Sequence, residues 1–303
     1  MRSLIIGLSA LALAAPVHAR QGAATFATAK PAQFQSDRIE VSVVGKGPDV
    51  ILIPGLTSSP ARAWAGTVDA VPGYRYYLVQ VRGFSGVPAG ANANGPVAAP
   101  VAEEIARYIR EARLKRPAVV GHSMGGTIGM MLAARHPEVI ARLMVVDMTP
   151  FMGAFFGMPN ATAEQMRPMA DRMREQMLAP PTPQGEAMMT QMVNGMANTE
   201  SARPGILNDS RTSDRTTVAN SYHELMTTDL RPELGRITVP TTVLYVRPAA
   251  VPITEAQMDA LYRNYYANLK GASLVRVPDA AHFLQIDAPA RFGRELRGFL
   301  AAK

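Results

Sequence analysis

Ser123 lies in Gly121-His-Ser-Met-Gly125, with the apolar run Ala118 to Val120 before it and the helix-compatible run Gly126 to Arg135 after it. These residue types predict a strand, a sharp turn and a helix. At such a turn the two glycines let strand and helix pass close together and lift the hydroxyl above the sheet. A serine hydroxyl is a poor nucleophile until a positioned base takes its proton. The base in turn needs a partner that fixes its tautomer and stabilises its charged form. The chain has five histidines. His18 is near the N-terminus, His122 adjoins Ser123, His136 follows a helical run, His223 lies in a helical stretch, and His282 follows the last strand-like run, Ser273 to Val277. The absence of cysteine excludes a thiol nucleophile, disulfides and Cys-ligated zinc. No histidine pair at helical ligand spacing, dense carboxylate cluster, dinucleotide fingerprint or phosphate loop occurs, so no metal or cofactor is expected.

The elements that must position these side chains are legible from periodicity. Arg38 to Val44 alternates like a half-buried strand, whereas Asp49 to Ile53 and Ile140 to Val146 are apolar enough for strands covered on both faces. Tyr74 to Val81, Thr241 to Val246 and Ser273 to Val277 read as further strands. Helices are expected over Val97 to Leu114, Thr254 to Leu269 and Pro289 to Leu300. The first carries Val101, Ile105 and Ile109 at helical spacing, with Glu103 and Glu104 early and basic residues late, as the helix dipole favours. Strands and helices in alternation predict an α/β fold, a mostly parallel doubly wound sheet flanked by helices. From Met148 to about Arg236 the rhythm changes. Met166, Met169, Met173 and Met177, then Met188, Met189, Met192 and Met196, recur at helical steps. Pro168 starts or kinks one of these helices, and Pro180-Pro-Thr-Pro183 ends it.

With Gly121, Ser123 and Gly125 in a strand-turn-helix context, the chain resembles the α/β-hydrolase family and its G-x-S-x-G nucleophile elbow. Asp279-Ala-Ala-His-Phe-Leu284 resembles the loop that delivers that family's catalytic histidine, which implies His282 as general base. The resemblance also implies an oxyanion hole made by the backbone N–H groups of Leu56 and Met124, although Pro54-Gly55 stands where the family has His-Gly. The family's usual acid position aligns with Val251, and no carboxylate appears there before Glu255. Some members carry the acid at the end of strand six, where Asp147 stands, so Asp147 is favoured. Glu255 or Asp259, or no acid at all, are the alternatives. The helical segment resembles the cap inserted after strand six. One reading makes it an apolar roof with Phe151, Met152, Phe155 and Phe156 as substrate-binding residues, since thioether and aromatic side chains adapt to varied ligands. The other has its methionines simply pack the cap onto the core.

Five segments follow. Residues 1–19 read as a secretory signal peptide cleaved after Ala19, 20–36 as a flexible leader, 37–150 as the first part of the core, 151–235 as the cap and 236–303 as the second part of the core. The protein is therefore expected in the periplasm or outside the cell, without stable membrane insertion once the signal is removed. Its 303 residues, 48% hydrophobic and 18% charged, suffice for a substantial core. The net charge of +7 is scattered, apart from Arg110, Arg113, Lys115 and Arg116, and no aromatic residues interleave that group, which argues against a nucleic-acid site. The resemblance implies a serine hydrolase acting on small carboxylic esters or lactones of apolar acids. A non-catalytic relative that binds an apolar ligand, or the same triad used on amide or C–C bonds, are the other readings.

Overall fold

The computed structural model describes residues 34–302 apart from 157, 159, 249 and 250, and the side chains of Ala154 and Phe155. The expected signal peptide and most of the leader lie outside the described residues.

In chain order the first half comprises β1 (Ile39–Gly45), β2 (Asp49–Ile53), α1 (Pro60–Ala70), β3 (Arg75–Val81), α2 (Ala98–Glu111), β4 (Ala118–His122), α3 (Met124–Arg135) and β5 (Arg142–Val146). A helical insertion follows, with α4 (Ala163–Leu178), α5 (Pro183–Met196), α6 (Arg203–Thr212) and α7 (Arg215–Thr227). The chain then returns to the sheet with β6 (Thr241–Tyr245), α8 (Glu255–Tyr265), β7 (Ser273–Arg276), α9 (Leu284–Asp287) and α10 (Pro289–Ala301). Counted in this chain, the insertion follows the fifth strand. Pro168 lies inside α4 and does not start it. Helix α1 was not anticipated. Its start is built from Pro60 at the first turn and the Ser59 side chain, which accepts the Arg62 N–H, and its Trp64 is fully buried.

Among the described residues seven strands form one sheet in the order β1-β3-β2-β4-β5-β6-β7, parallel except for the β1–β3 pair. Period-two alternation divides β2 between two apolar layers. Ile51 and Ile53 face the layer that includes Ile105, Met131 and Tyr262, while Val50 and Leu52 face Trp64, Phe292 and Leu296. The hydrophobic contact of these layers with the sheet is the dominant stabilising contribution. Helix α3 is buried on all sides from Met124 to Ala134, which is why it is apolar all round and not striped.

Register places the site. Ile53 pairs with Gly121, and His122 pairs with Val146. The segment after β2, the turn after β4 and the end of β5 therefore emerge side by side at the carboxyl edge of the sheet, where open α/β sheets build their sites. The insertion is tied to the core beneath it. Glu224 on α7 accepts the N–H groups of Val97 and Ala98, both at 2.6 Å, and of Ala99 at 2.9 Å, supplying the start of α2 with the acceptor its own Val97 lacks.

Candidate active site

The turn at Ser123 is imposed by its glycines. A Cβ on Gly121 would collide with the Gly125 carbonyl oxygen, and one on Gly125 with the carbonyl oxygen of Ile53. Ser123 itself takes φ 53° and ψ −123°, a conformation that costs a non-glycine residue about 1–3 kcal/mol. Packing and hydrogen bonds hold it there. Its N–H donates to Val146 O at 2.9 Å, and its carbonyl accepts the Gly126 N–H at 2.7 Å. The side chain stays partly accessible while Met124 behind it is fully buried.

One strand over, Asp147 also has a positive φ, 49°, and its N–H donates to Leu244 O at 2.7 Å. Its two carboxylate oxygens are divided. Oδ1 accepts the Val246 N–H at 3.1 Å, and Oδ2 stands 2.7 Å from Nδ1 of His282. An ionised carboxylate only accepts, so this contact places a proton on Nδ1 and leaves Nε2 of His282 as the basic nitrogen. The buried phenols of Tyr262 and Tyr266 line the same region. Burial, and then the Asp147 carboxylate, push both well above the usual tyrosine range, so both remain neutral.

His122 links the two halves of this arrangement. It is completely buried, and its Nε2 donates to the backbone carbonyl of His282 at 2.9 Å. The ring centroids of the two histidines are 4.7 Å apart. Burial, reinforced by the positive charge that His282 can carry, pushes the His122 pKa well below the usual histidine value, and the ring is neutral. Among the described residues its Nδ1 has no hydrogen-bond partner, and it faces Gly55, where a Cβ would lie 3.1 Å from Nδ1 and 3.1 Å from Ser123 Cβ. Gly55, Ser123, His122 and His282 thus form one continuous patch at the strand ends.

A model of the alpha/beta hydrolase family matches residues 50–295. The chain belongs to that family. It is similar to a pimeloyl-[acyl-carrier protein] methyl ester esterase from Vibrio atlanticus, 32% identical over 120 residues, or 39% of this chain and 43% of that protein. The chain thus spans less than half the length of this curated relative. Among solved structures it is similar to the esterase EaEST from Exiguobacterium antarcticum, with a TM-score of 0.72 and 20% identity over 87% of this chain and 96% of that one. It is also similar to an enol-lactonase from Burkholderia xenovorans, with a TM-score of 0.68 and 21% identity over 87% and 96% of the two chains. At these identities the structural similarities speak for the fold.

In this α/β hydrolase the other candidates for the acid are engaged elsewhere. Glu255 pairs with Arg276 at 2.9 Å. Asp259 accepts from the same arginine at 2.8 Å and from the Tyr245 hydroxyl at 2.9 Å. Neither is among the partners of His282. His136 contacts Glu103 at 2.7 Å and His223 contacts Asp171 at 2.8 Å, both away from the strand ends. Leu56 is partly accessible, and its N–H donates to no backbone carbonyl among the described residues. The turn there is closed by Ser58 N–H to Gly55 O at 3.2 Å.

The aromatic roof is corrected in part. Phe151 is 1% exposed and packs with Ala161, Met166, Ala170 and Met226 in the insertion's own small core, where Arg231 lies over its ring at 4.8 Å. It is therefore a packing residue. Met152 and Phe156 are half-buried at the margin of that cluster, and the Phe155 side chain lies outside the described residues. Asp209 and Asp287 carry no signal in the sequence that marks them as part of the site. Asp209 reaches Ser59 across 150 residues, and Asp287 joins Ala281, 6 residues before it, to Asn198, 89 residues before it.

Proposed function

We propose that this α/β hydrolase is a serine hydrolase that cleaves carboxylic esters or lactones of apolar acids through an acyl-enzyme on Ser123. The observation that carries the reading is the 2.7 Å contact between Asp147 and Nδ1 of His282, at the same sheet edge as a serine held in a strained turn. In this reading Nε2 of His282 takes the Ser123 proton as Oγ attacks the ester carbonyl. The N–H groups of Leu56 and Met124 receive the developing oxyanion. Protonated His282, its charge balanced by Asp147, then gives the proton to the leaving alcohol. Water, activated by the same imidazole, releases the acid. The named activities of the similar esterases and lactonase support the ester or lactone class. The partly exposed Met152 and Phe156 favour an apolar acyl group. We further propose that the enzyme is exported, on the strength of its apolar N-terminal run ending in Val17-His-Ala19. Among the described residues no helix is long and apolar enough to cross a membrane.

The test is hydrolysis of p-nitrophenyl esters of increasing acyl length by the wild type and Ser123→Ala, with mass spectrometry after treatment with a fluorophosphonate. Turnover by the wild type, its near-complete loss in the variant and an adduct on Ser123 are expected. A folded wild type that forms no adduct would replace this reading with that of a non-catalytic relative.

A further inference from the structure

The helical insertion holds the loop that carries Leu56 through one buried carboxylate. Asp209 on α6 is 3% exposed, yet its acceptors are directed to core residues. Oδ2 accepts the Ser59 N–H at 3.1 Å, the Ser59 hydroxyl at 3.0 Å and Arg62 Nε at 2.9 Å, and Oδ1 accepts the Ser85 hydroxyl at 2.8 Å. Hydrogen bonds to a buried charge are the strong kind, and removing the charge leaves several donors without an acceptor.

Further contacts run alongside it. Ser210 Oγ is 3.1 Å from Thr57 Oγ1, and Ser213 Oγ receives the Ser85 N–H at 2.9 Å. The backbone of α6 and its end joins the loop after β3, with Gly86 N–H to Thr212 O at 3.1 Å and Asp214 N–H to Gly83 O at 2.7 Å. Between Leu56 and Ser59, Thr57 has φ 63°, a conformation that threonine adopts only under constraint. The direction of the Leu56 N–H is set by this short constrained segment, and the segment is fastened at Ser59 to a residue of the insertion.

We infer that Asp209 is a positioning residue for the oxyanion hole. It holds the Leu56 N–H in the orientation the tetrahedral intermediate needs, so that the hole is complete only when α6 is seated on the core. This rests on the serine hydrolase reading above. Asp209 touches no reacting atom and acts through Ser59 and the strained Thr57. Oxyanion stabilisation is realised in the transition state more than in the ground state, so loosening this loop lowers kcat and leaves KM nearly unchanged.

The experiment compares wild type, Asp209→Asn, Asp209→Ala and the milder Ser85→Ala, which removes one donor to Oδ1 and leaves the carboxylate in place. For each, kcat and KM are measured on the best p-nitrophenyl ester, together with the inhibition constant of a trifluoromethyl ketone whose Ser123 adduct places an oxyanion in the hole, and Tm. Asp209→Asn is expected to lower kcat by roughly 10- to 100-fold, the scale of a small misplacement of a catalytic group, and to weaken ketone binding in parallel. Ser85→Ala is expected to do the same by about 3- to 10-fold, the worth of a single hydrogen bond. If the Asp209 variants do not fold, the Ser85→Ala measurements decide. Variants that lose only Tm, with kcat and ketone affinity unaltered, overturn the proposal and leave the serine hydrolase reading intact. A wild type that neither turns over nor binds the ketone overturns both.

Discussion

Asp147 and His282 are 135 residues apart in the chain and 2.7 Å apart in the fold, through Oδ2 and Nδ1. The other oxygen of Asp147 is fixed by the Val246 N–H, so the carboxylate cannot rotate away without breaking a second bond. An asparagine here would keep the shape but remove the charge that stabilises imidazolium. Its amide can also select the wrong histidine tautomer. We expect Asp147→Asn to lower kcat by about 10³- to 10⁴-fold with a modest change in KM. Glu255→Gln and Asp259→Asn should retain most of the turnover, because both carboxylates are paired with Arg276. Steady-state kinetics on an activated ester checks all three. Full turnover in Asp147→Asn with loss in Glu255→Gln would reassign the acid.

The neutral, buried state of His122 makes stability depend on pH. Its folded pKa lies well below the ordinary value of 6.5, so below pH 6.5 the unfolded chain binds a proton that the folded chain refuses. Stability contributed by this site is complete above about pH 6.5 and is lost as pH falls from there toward the folded pKa. For one proton the slope is at most about 1.4 kcal/mol per pH unit. Urea denaturation of wild type and His122→Asn between pH 8 and 5 should show a steeper acid-side decline in the wild type. Parallel curves would mean that His122 does not contribute to it. The same substitution shortens the donor to the His282 carbonyl, so a fall in kcat of roughly 5-fold is also expected, the worth of about one neutral hydrogen bond.

Much of this arrangement is local enough to be read from the chain. A short apolar strand, two glycines flanking a serine and an apolar helix predict the elbow, because the close approach of Gly121 to Gly125 is a property of adjacent residues. The parallel sheet followed from continuous apolar runs. The missing carboxylate near Val251 directed attention to Asp147, the residue found beside His282. What periodicity does not carry is the pairing of distant polar groups. Asp209 meets Ser59 across 150 residues, and Asp287 meets Asn198 across 89, and neither carboxylate differs in sequence context from an ordinary exposed one. The direction of the His122 ring is equally illegible, since it depends on the room that Gly55 leaves beside it. Helix α1 is less legible because Gly66 and the β-branched Thr67 and Val68 lower its helix propensity, although Ser59 and Pro60 mark its start.

Asp287 does for the His282 loop what Asp209 does for the Leu56 loop. Its Oδ2 accepts the Ala281 N–H at 2.9 Å and the Asn198 N–H at 3.0 Å, and its Oδ1 accepts the Thr199 N–H at 2.8 Å. The residue before His282 and the segment after α5 are thus fastened to one carboxylate, and the Phe283 N–H adds a bond to Met196 O at 3.0 Å. Asp287→Ala leaves these N–H groups without their acceptor and is expected to cost about 1–3 kcal/mol of stability. Because the loosened loop carries His282, kcat should fall as well. Asp287→Asn keeps one accepting oxygen and should lie between the two. Denaturant midpoints and turnover measured together check the order wild type, Asn, Ala. An Ala variant with unchanged stability and turnover would show that the loop holds its shape without the clasp.

The methionines of the insertion range from fully buried to exposed, and substitution should separate the two extremes. Met166 on α4 is fully buried against Phe151, Ala170 and Met226, while Met188 and Met192 on α5 are 64% and 56% exposed. A buried methionine reduced to alanine loses both its transfer free energy and the contacts that fill its volume. Met166→Ala is therefore expected to destabilise by about 2–5 kcal/mol. Met188→Ser and Met192→Ser remove apolar surface that already faces solvent, so each should fall within about 0.5 kcal/mol of the wild type. If these exposed side chains contribute to holding long acyl groups, the serine variants will also raise KM for the longer esters of the chain-length series and leave acetate esters unaffected. Equal KM across the series would assign the roof to residues nearer the strand ends, with Met152 and Phe156 the next to substitute.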